Sequence, residues 1–223
     1  MKSAPESKLF STKQTLNVRG RLMDLSIPRV MGVLNVTPDS FYDGGRYTTE
    51  EAILVQAGKM LDEGATFIDI GAYSSRPGAQ DISIAEELKR ATTAVGIVAK
   101  RFPAAIISID TFRSEVAHAA IQEGAGIVND ISGGALDPNM IETVSRLRVP
   151  YIAMHMRGTP QTMTQHTTYQ NLVKDIVDYF HQKILLCHQH GIVDVIVDPG
   201  FGFSKTVAQN FELLRALEQL ANP

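Results

Sequence analysis

The stretch GAGIVNDISGGALDPNMIETVSRLRVPYIAMH, Gly124 to His155, holds one complete unit of the fold. Gly126–Ile131 is a short Ile/Val run, uncharged until its C-terminal end, as expected of a strand buried on both faces of a parallel sheet. Asp137-Pro138 then gives a helix start, an N-cap followed by proline, and predicts a helix over Pro138–Leu147. Tyr151–His155 returns as the next strand. The same rhythm runs outward in both directions. Strand-like runs occur at Val30–Val36, Thr66–Ala72, Ala105–Asp110 and Val193–Asp198, and apolar residues at helical spacing mark Glu50–Glu63, Ile84–Arg101, Ser114–Glu123, Tyr169–His190 and Val207–Leu220. Gly64, Gly124 and Gly191 each follow a helix, where a C-terminal glycine belongs. Leu16–Val18 and Leu22–Leu25 flank Arg19-Gly20 and predict a hairpin ahead of the main fold, sealing its N-terminal end.

Six βα units open both a doubly wound sheet and a (β/α)8 barrel. No G-x-G-x-x-G follows the first strand, which argues against a dinucleotide site. A complete barrel takes about 250 residues, and this chain has 223. The reading at this point is α/β, consecutive parallel strands with helices outside, with the doubly wound sheet and the TIM-type barrel both open; residues 1–12 read as a flexible tail and 13–223 as one domain, C-terminally incomplete if it is a barrel. A net charge of −3 gives no broad surface for nucleic acid or membrane, so neither is expected as a partner. The only cysteine, Cys187, allows no intrachain disulfide and fits a reducing cytoplasm. The polar N-terminus lacks the apolar core of a signal peptide, and no apolar run is long enough to span a bilayer.

Polar residues gather at the C-terminal strand ends: Asn35, then Ser74-Ser75-Arg76, Asp110, Asn129-Asp130, His155 and Asp198. In parallel βα architectures ligands bind along that rim. One such residue is usually a helix cap. Six together favour a site, because unpaired buried carboxylates and amides are costly. The loop Asn35–Gly45 is long and rich in turn residues, so it could close over a ligand. Arg76 offers a forked donor for an anion, against the plainer reading of a surface ion pair. Asp198-Pro-Gly-Phe-Gly-Phe-Ser-Lys205 is not a phosphate loop, since G-x-x-x-x-G-K-[ST] is absent, but the Pro-Gly turn should point the Asp198 carboxylate into the site. Lys205 is as easily a solvated lysine as a functional one. His188 and His190 close a helix and read as structural. No zinc motif is present. Met154 and Met156 read by default as core packing, with the alternative that one packs against a flat ligand.

Four ordered motifs resemble the dihydropteroate synthase family. They are Met31-Gly-Val-Leu-Asn-Val-Thr-Pro-Asp-Ser-Phe41, Ile68-Asp-Ile-Gly-Ala-Tyr-Ser-Ser-Arg-Pro-Gly78, Ser108-Ile-Asp-Thr111 with Val128-Asn-Asp-Ile131, and Asp198 to Lys205. The resemblance implies a (β/α)8 barrel that condenses 6-hydroxymethyl-7,8-dihydropterin pyrophosphate with 4-aminobenzoate, releasing pyrophosphate. It assigns the pterin to Asp110, Asn129, Ile131, Met154 and Asp198, and Mg²⁺ to Asn35 beside the pyrophosphate. Thr37, Pro38, Asp39, Phe41, Ser75, Arg76, Pro77, Phe203 and Lys205 are assigned to the pyrophosphate and 4-aminobenzoate loops. Arg76, Asp110 and Asp198 are the catalytic candidates, the family is a sulfonamide target, and a homodimer is allowed. Ser75 stands where the family usually has threonine, with the hydroxyl kept. The family's Ser-Arg-Lys and Arg-x-His segments find no match, so the chain is expected to be part of a longer enzyme. The competing expectations are another pterin-binding barrel, such as a methyltetrahydrofolate methyltransferase domain, and a non-catalytic pterin-binding subunit.

Overall fold

A computed structural model of the chain describes residues 14–37, 49–75 and 81–220. The hairpin forms from β1 (Thr15–Val18) and β2 (Arg21–Asp24), antiparallel, with Arg19 and Gly20 both at positive φ in the turn between them. That turn geometry matches the twist of a two-residue hairpin. Six strands follow: β3 (Met31–Asn35), β4 (Phe67–Gly71), β5 (Ile106–Asp110), β6 (Ile127–Asp130), β7 (Tyr151–Met154) and β8 (Val195–Asp198). They pair in sequence order, all parallel.

Helices α1 (Thr49–Asp62), α2 (Ile84–Arg101), α3 (Ser114–Glu123), α4 (Met140–Leu147), α5 (Leu172–Gln189), α6 (Val207–Arg215) and α7 (Leu217–Leu220) connect and follow the strands. Alternation along each strand decides what each residue meets. Leu34, Ile68, Ile70, Ile107, Ile109 and Val128 face outward and pack against small helix residues such as Ala57, Ala91, Ala94 and Ala117. Small side chains there let helix and sheet approach closely. The alternate residues Phe67, Ile127 and Ile152 face inward and bury Leu16 and Val18 of the hairpin. The hairpin thus seals the N-terminal end of the sheet's inner face, as its position in the sequence predicts.

Several helix bounds differ from expectation, and the run Val207–Leu220, expected as one helix, is divided at Ala216 into α6 and α7. The Asp137-Pro138 start is displaced, because α4 begins at Met140. The Asp137 carboxylate is used elsewhere: one oxygen accepts from Asn139 N–H at 2.9 Å and the other from Ser114 N–H at 2.7 Å, at the first turn of α3. Its cap therefore serves the neighbouring helix. Tyr169 lies outside α5, which starts after Asn171, whose side chain accepts from Lys174 N–H at 3.1 Å. None of the described helices is long and apolar enough to cross a membrane.

Candidate active site

Register carries the site. Asn35 pairs with Gly71, Gly71 with Asp110, and Asp110 with Asn129, so four neighbouring strands place one row of residues at the same height on the inner face. Gly71 is the gap in that row. A Cβ on it would lie 3.0 Å from Asn35 Oδ1 and 3.2 Å from Asp110 Oδ2, so both oxygens converge on the space a side chain would fill. One layer lower, Asp69 pairs with Ser108. Asn129 bridges the layers, its Nδ2 donating to Asp69 Oδ2 at 3.0 Å.

Hydrogen bonding separates structural carboxylates from the others. Asp130, the outward neighbour of Asn129, accepts from Ser132 N–H and Oγ–H, Gly134 N–H and Tyr151 Oη–H, all within 2.8 Å. Glu87 accepts from Thr111 and Arg113 at 2.6 and 2.8 Å. Both are buried and fully engaged, as structural carboxylates must be. The inner face differs. Asp69 Oδ1, Ser108 Oγ and Asn129 Oδ1 are buried with no hydrogen-bond partner among the described residues. Such a cluster is costly alone and suits a ligand that presents N–H donors.

Electrostatics point the same way. Burial raises the Asp110 carboxyl well above the usual range, with the negative charges of Asp69, Asp130, Glu87 and Asp198 adding to it. Asp110 keeps some solvent contact at the mouth, but protein surrounds it. Burial also raises Asp69, with the facing Ser108 hydroxyl and the Asn129 amide drawing it back and the Asp198 charge adding to the rise. An acid raised in the folded state binds protons that the unfolded chain has released. Its stabilising contribution is therefore full below the unfolded value near 3.8 and is lost as pH rises through the folded value. Asp110→Asn is accordingly expected to match wild-type stability near pH 3.5 and to exceed it by on the order of 1 kcal/mol at pH 8. Denaturant melts at the two pH values check this, and a variant less stable at pH 8 would contradict it.

On β8, Asp198 turns into the loop that follows, where its Oδ1 accepts from Gly200 N–H at 2.8 Å. Its other oxygen has no hydrogen-bond donor among the described residues. The Lys205 ammonium is buried inside the same loop and donates to Gly200 O and Phe203 O, rather than extending to the rim. His155 points outward from β7 against Tyr179 and Phe180, so it is not a rim residue. Burial, with the Lys205 and Arg157 cations, lowers its imidazole to about 3 and keeps it neutral. Met154 and Met156 alternate with it and join Ile131 and Met163 in an apolar cluster at the mouth, flanked by Phe112, Leu136 and Phe203.

The structure thus brings Asn35, Asp110 and Asn129 into one row, and groups Ile131, Met154 and Phe203 in the apolar wall of the mouth, with Asp198 opposite Met154 in register. Thr37 and Ser75 are half-buried in the segments following β3 and β4. Pro38, Asp39, Phe41, Arg76 and Pro77 lie outside the described residues, as does the tail over 1–12. Sequence reasoning passed over Asp69 and Ser108. The signal was available: a carboxylate in the middle of the apolar run Phe67-Ile-Asp-Ile-Gly71 must face inward to something polar. Among the described residues no group of three or more His, Cys, Asp or Glu could hold a metal ion.

Residues 31–222 match the model of a family described as pterin binding enzyme. The chain belongs to that family. Within it the chain is similar to dihydropteroate synthases. It is 43% identical over 193 residues to the dihydropteroate synthase of a Synechocystis species, covering 86% of this chain and 66% of that one. It is 45% identical over 194 residues to a folic acid synthesis protein of Pneumocystis carinii, covering 86% of this chain and 26% of that one. A structure of Xanthomonas albilineans dihydropteroate synthase with 4-aminobenzoic acid superposes with a TM-score of 0.86 at 38% identity, over 94% of this chain and 74% of that one. The chain therefore spans just under two thirds of the length of the Synechocystis relative and about a quarter of that of the Pneumocystis protein. That pterin-family neighbour places the six-stranded sheet in the barrel class anticipated from the βα rhythm.

Proposed function

We propose that the protein is a dihydropteroate synthase, joining 6-hydroxymethyl-7,8-dihydropterin pyrophosphate to 4-aminobenzoate with loss of pyrophosphate. The observation that carries the proposal is the set of inner-face acceptor atoms with no donor among the described residues, Asp69 Oδ1, Asn129 Oδ1 and the second oxygen of Asp198, beside a carboxyl at Asp110. A 2-amino-4-oxopterin presents adjacent N–H donors on one edge, and a carboxylate accepts such a pair. Asp198 and Asn129 are assigned to that edge. The Met154, Ile131 and Phe203 wall covers the flat ring and excludes water above it.

In the reaction the aryl amine nitrogen bonds to the pterin's methylene carbon, the C–O bond breaks, and its electron pair leaves with pyrophosphate. The amine then loses a proton to solvent or to the leaving group. Positive charge that builds on the pterin is stabilised by Asp110, and a cationic ring in turn favours the ionised carboxylate. The protein's part is orientation and charge compensation, worth about 1.4 kcal/mol for each tenfold of rate.

Mg²⁺ belongs to the proposal. Asn35 Oδ1 and Asp110 Oδ2 are hard oxygen donors aimed at the same space over Gly71, and Mg²⁺ binds with one or two protein oxygens, waters and substrate phosphates. The ion would neutralise the leaving pyrophosphate. Arg76, Ser75 and Thr37 are assigned to the same end of the substrate, with Pro38, Asp39, Phe41 and Pro77 in the adjoining loops. The proposal extends to a cytoplasmic homodimer; a single, buried, unpaired Cys187 supports a reducing compartment. The test is turnover by the full-length protein with both substrates and Mg²⁺. Dihydropteroate and pyrophosphate should appear one to one, with competition by a sulfonamide. Pterin binding without product would leave a binding protein in place of a synthase.

A further inference from the structure

Lys205 is a cation buried to 8% exposure with no ion pair to a carboxylate among the described residues. Its Nζ lies 2.9 Å from Gly200 O, 3.0 Å from Phe203 O and 3.2 Å from His155 Nδ1, with His155 O at 3.5 Å. An ammonium has three N–H donors, and three close acceptors use them all. None is left for a ligand. His155 completes the arrangement because it is neutral: its Nδ1 lone pair accepts from the lysine. The imidazole is held in place by the edge of Tyr179, with ring centroids 4.9 Å apart. Burial lowers the Lys205 ammonium to about 8, while the Asp198 charge favours it.

The acceptors are informative. Gly200 O belongs to the residue whose N–H holds Asp198, Phe203 O to the residue whose ring joins the mouth, and His155 to the end of β7. One ammonium therefore pins both arms of the loop to the neighbouring strand. Ser204 adds to the seat: its Oγ accepts from Arg157 N–H at 3.0 Å and its carbonyl from Tyr169 Oη–H at 3.0 Å. Immediately beyond, Thr206 and Gln209 form a capping box that fixes the start of α6.

We propose that Lys205 is a positioning residue, paired with neutral His155, that fixes the Asp198 carboxylate and the Phe203 ring for the pterin and the aryl amine, and that it does not contact the leaving pyrophosphate. This rests on the synthase reading of the site. Replacing Lys205 with methionine keeps the buried stem but takes the ammonium from Phe203 O and His155 Nδ1 and leaves Gly200 O only the Phe203 N–H, so the loop should open locally.

The experiment compares wild type with Lys205→Met and Asp198→Asn. It measures binding of 6-hydroxymethylpterin and of its pyrophosphate ester, and amide exchange at Gly200 and Phe203, whose N–H groups bond within the loop. Lys205→Met should weaken both ligands by the same factor, about tenfold or more, and speed exchange at those two amides about tenfold, with exchange in β4 and β5 unchanged. Asp198→Asn should weaken binding and leave loop exchange near wild type, because the amide oxygen still accepts from Gly200. A loss confined to the pyrophosphate ester would make Lys205 a leaving-group contact and overturn the proposal. Wild-type exchange in Lys205→Met, or exchange accelerated throughout the barrel, would overturn it as well. Should Lys205→Met not fold, Lys205→Gln, with two donors and no charge, carries the same comparison. Wild-type protein that binds neither pterin would sink the synthase reading instead, and the exchange comparison would still decide whether Lys205 holds the loop.

Discussion

Asp198→Ala should lower pterin affinity by at least about 2–3 kcal/mol, roughly a factor of 30 to 150 in Kd. The carboxylate has one oxygen engaged by Gly200 N–H and the other open to the site. Removing it deletes a charge-assisted acceptor and leaves ligand donors facing a void. It also releases Gly200 N–H, which loosens the loop that carries Phe203. Asn129→Ala should cost less at the ligand, because an amide forms neutral bonds, although Asp69 then loses its only hydrogen-bond donor among the described residues. Calorimetry with 6-hydroxymethylpterin separates the two variants. Equal and negligible losses at both positions would refute the assignment of the pterin edge.

Gly200→Ala is the second large effect. Its Cβ would stand 2.2 Å from His155 O and 3.3 Å from the carbonyl carbon, both backbone atoms that cannot rotate away. The residue also has φ +66, a region that costs a side-chain-bearing residue roughly 1–2 kcal/mol by itself. Together with overpacking against a strand, the expected destabilisation is about 2–4 kcal/mol. The chain can relieve the clash by lifting the loop from β7, at the expense of the Lys205 contacts and the Asp198 geometry. Chemical denaturation should therefore show lower stability, and pterin binding should fall with it. Gly202→Ala is the control: φ is +82, but nothing lies within 4 Å of its Cβ, so only the backbone strain applies. If the two variants melt alike, close approach to His155 is not what requires glycine at position 200.

The contrast between Asp130 and Asp69 shows how far the sequence could be read. Asn129-Asp130 stands at the end of an apolar run, and the chain alone marks both residues as polar at a strand end. Period-two alternation sends one inward and one outward, but which is which depends on register with β5 and β7. The outward Asp130 finds four donors on its own loop and on Tyr151, and is structural. Asp69, inside an apolar run, is legible as a residue that must face something polar, but only the fold brings Ser108 and Asn129 alongside it. Lys205 shows a similar limit. A lysine before a helix could face solvent, a phosphate or its own loop, and only the folded path of Gly200 to Phe203 supplied carbonyls to hold it.

The sequence by itself determined the order of strands and helices, the N-terminal hairpin and the polar C-terminal ends, because hydrophobic periodicity and turn residues act over a few neighbours. Tertiary structure decided which polar groups are already paired. That depends on residues 60 and 50 positions apart, as with Asn129 and Asp69 or Lys205 and His155, meeting across strands whose register no local pattern specifies.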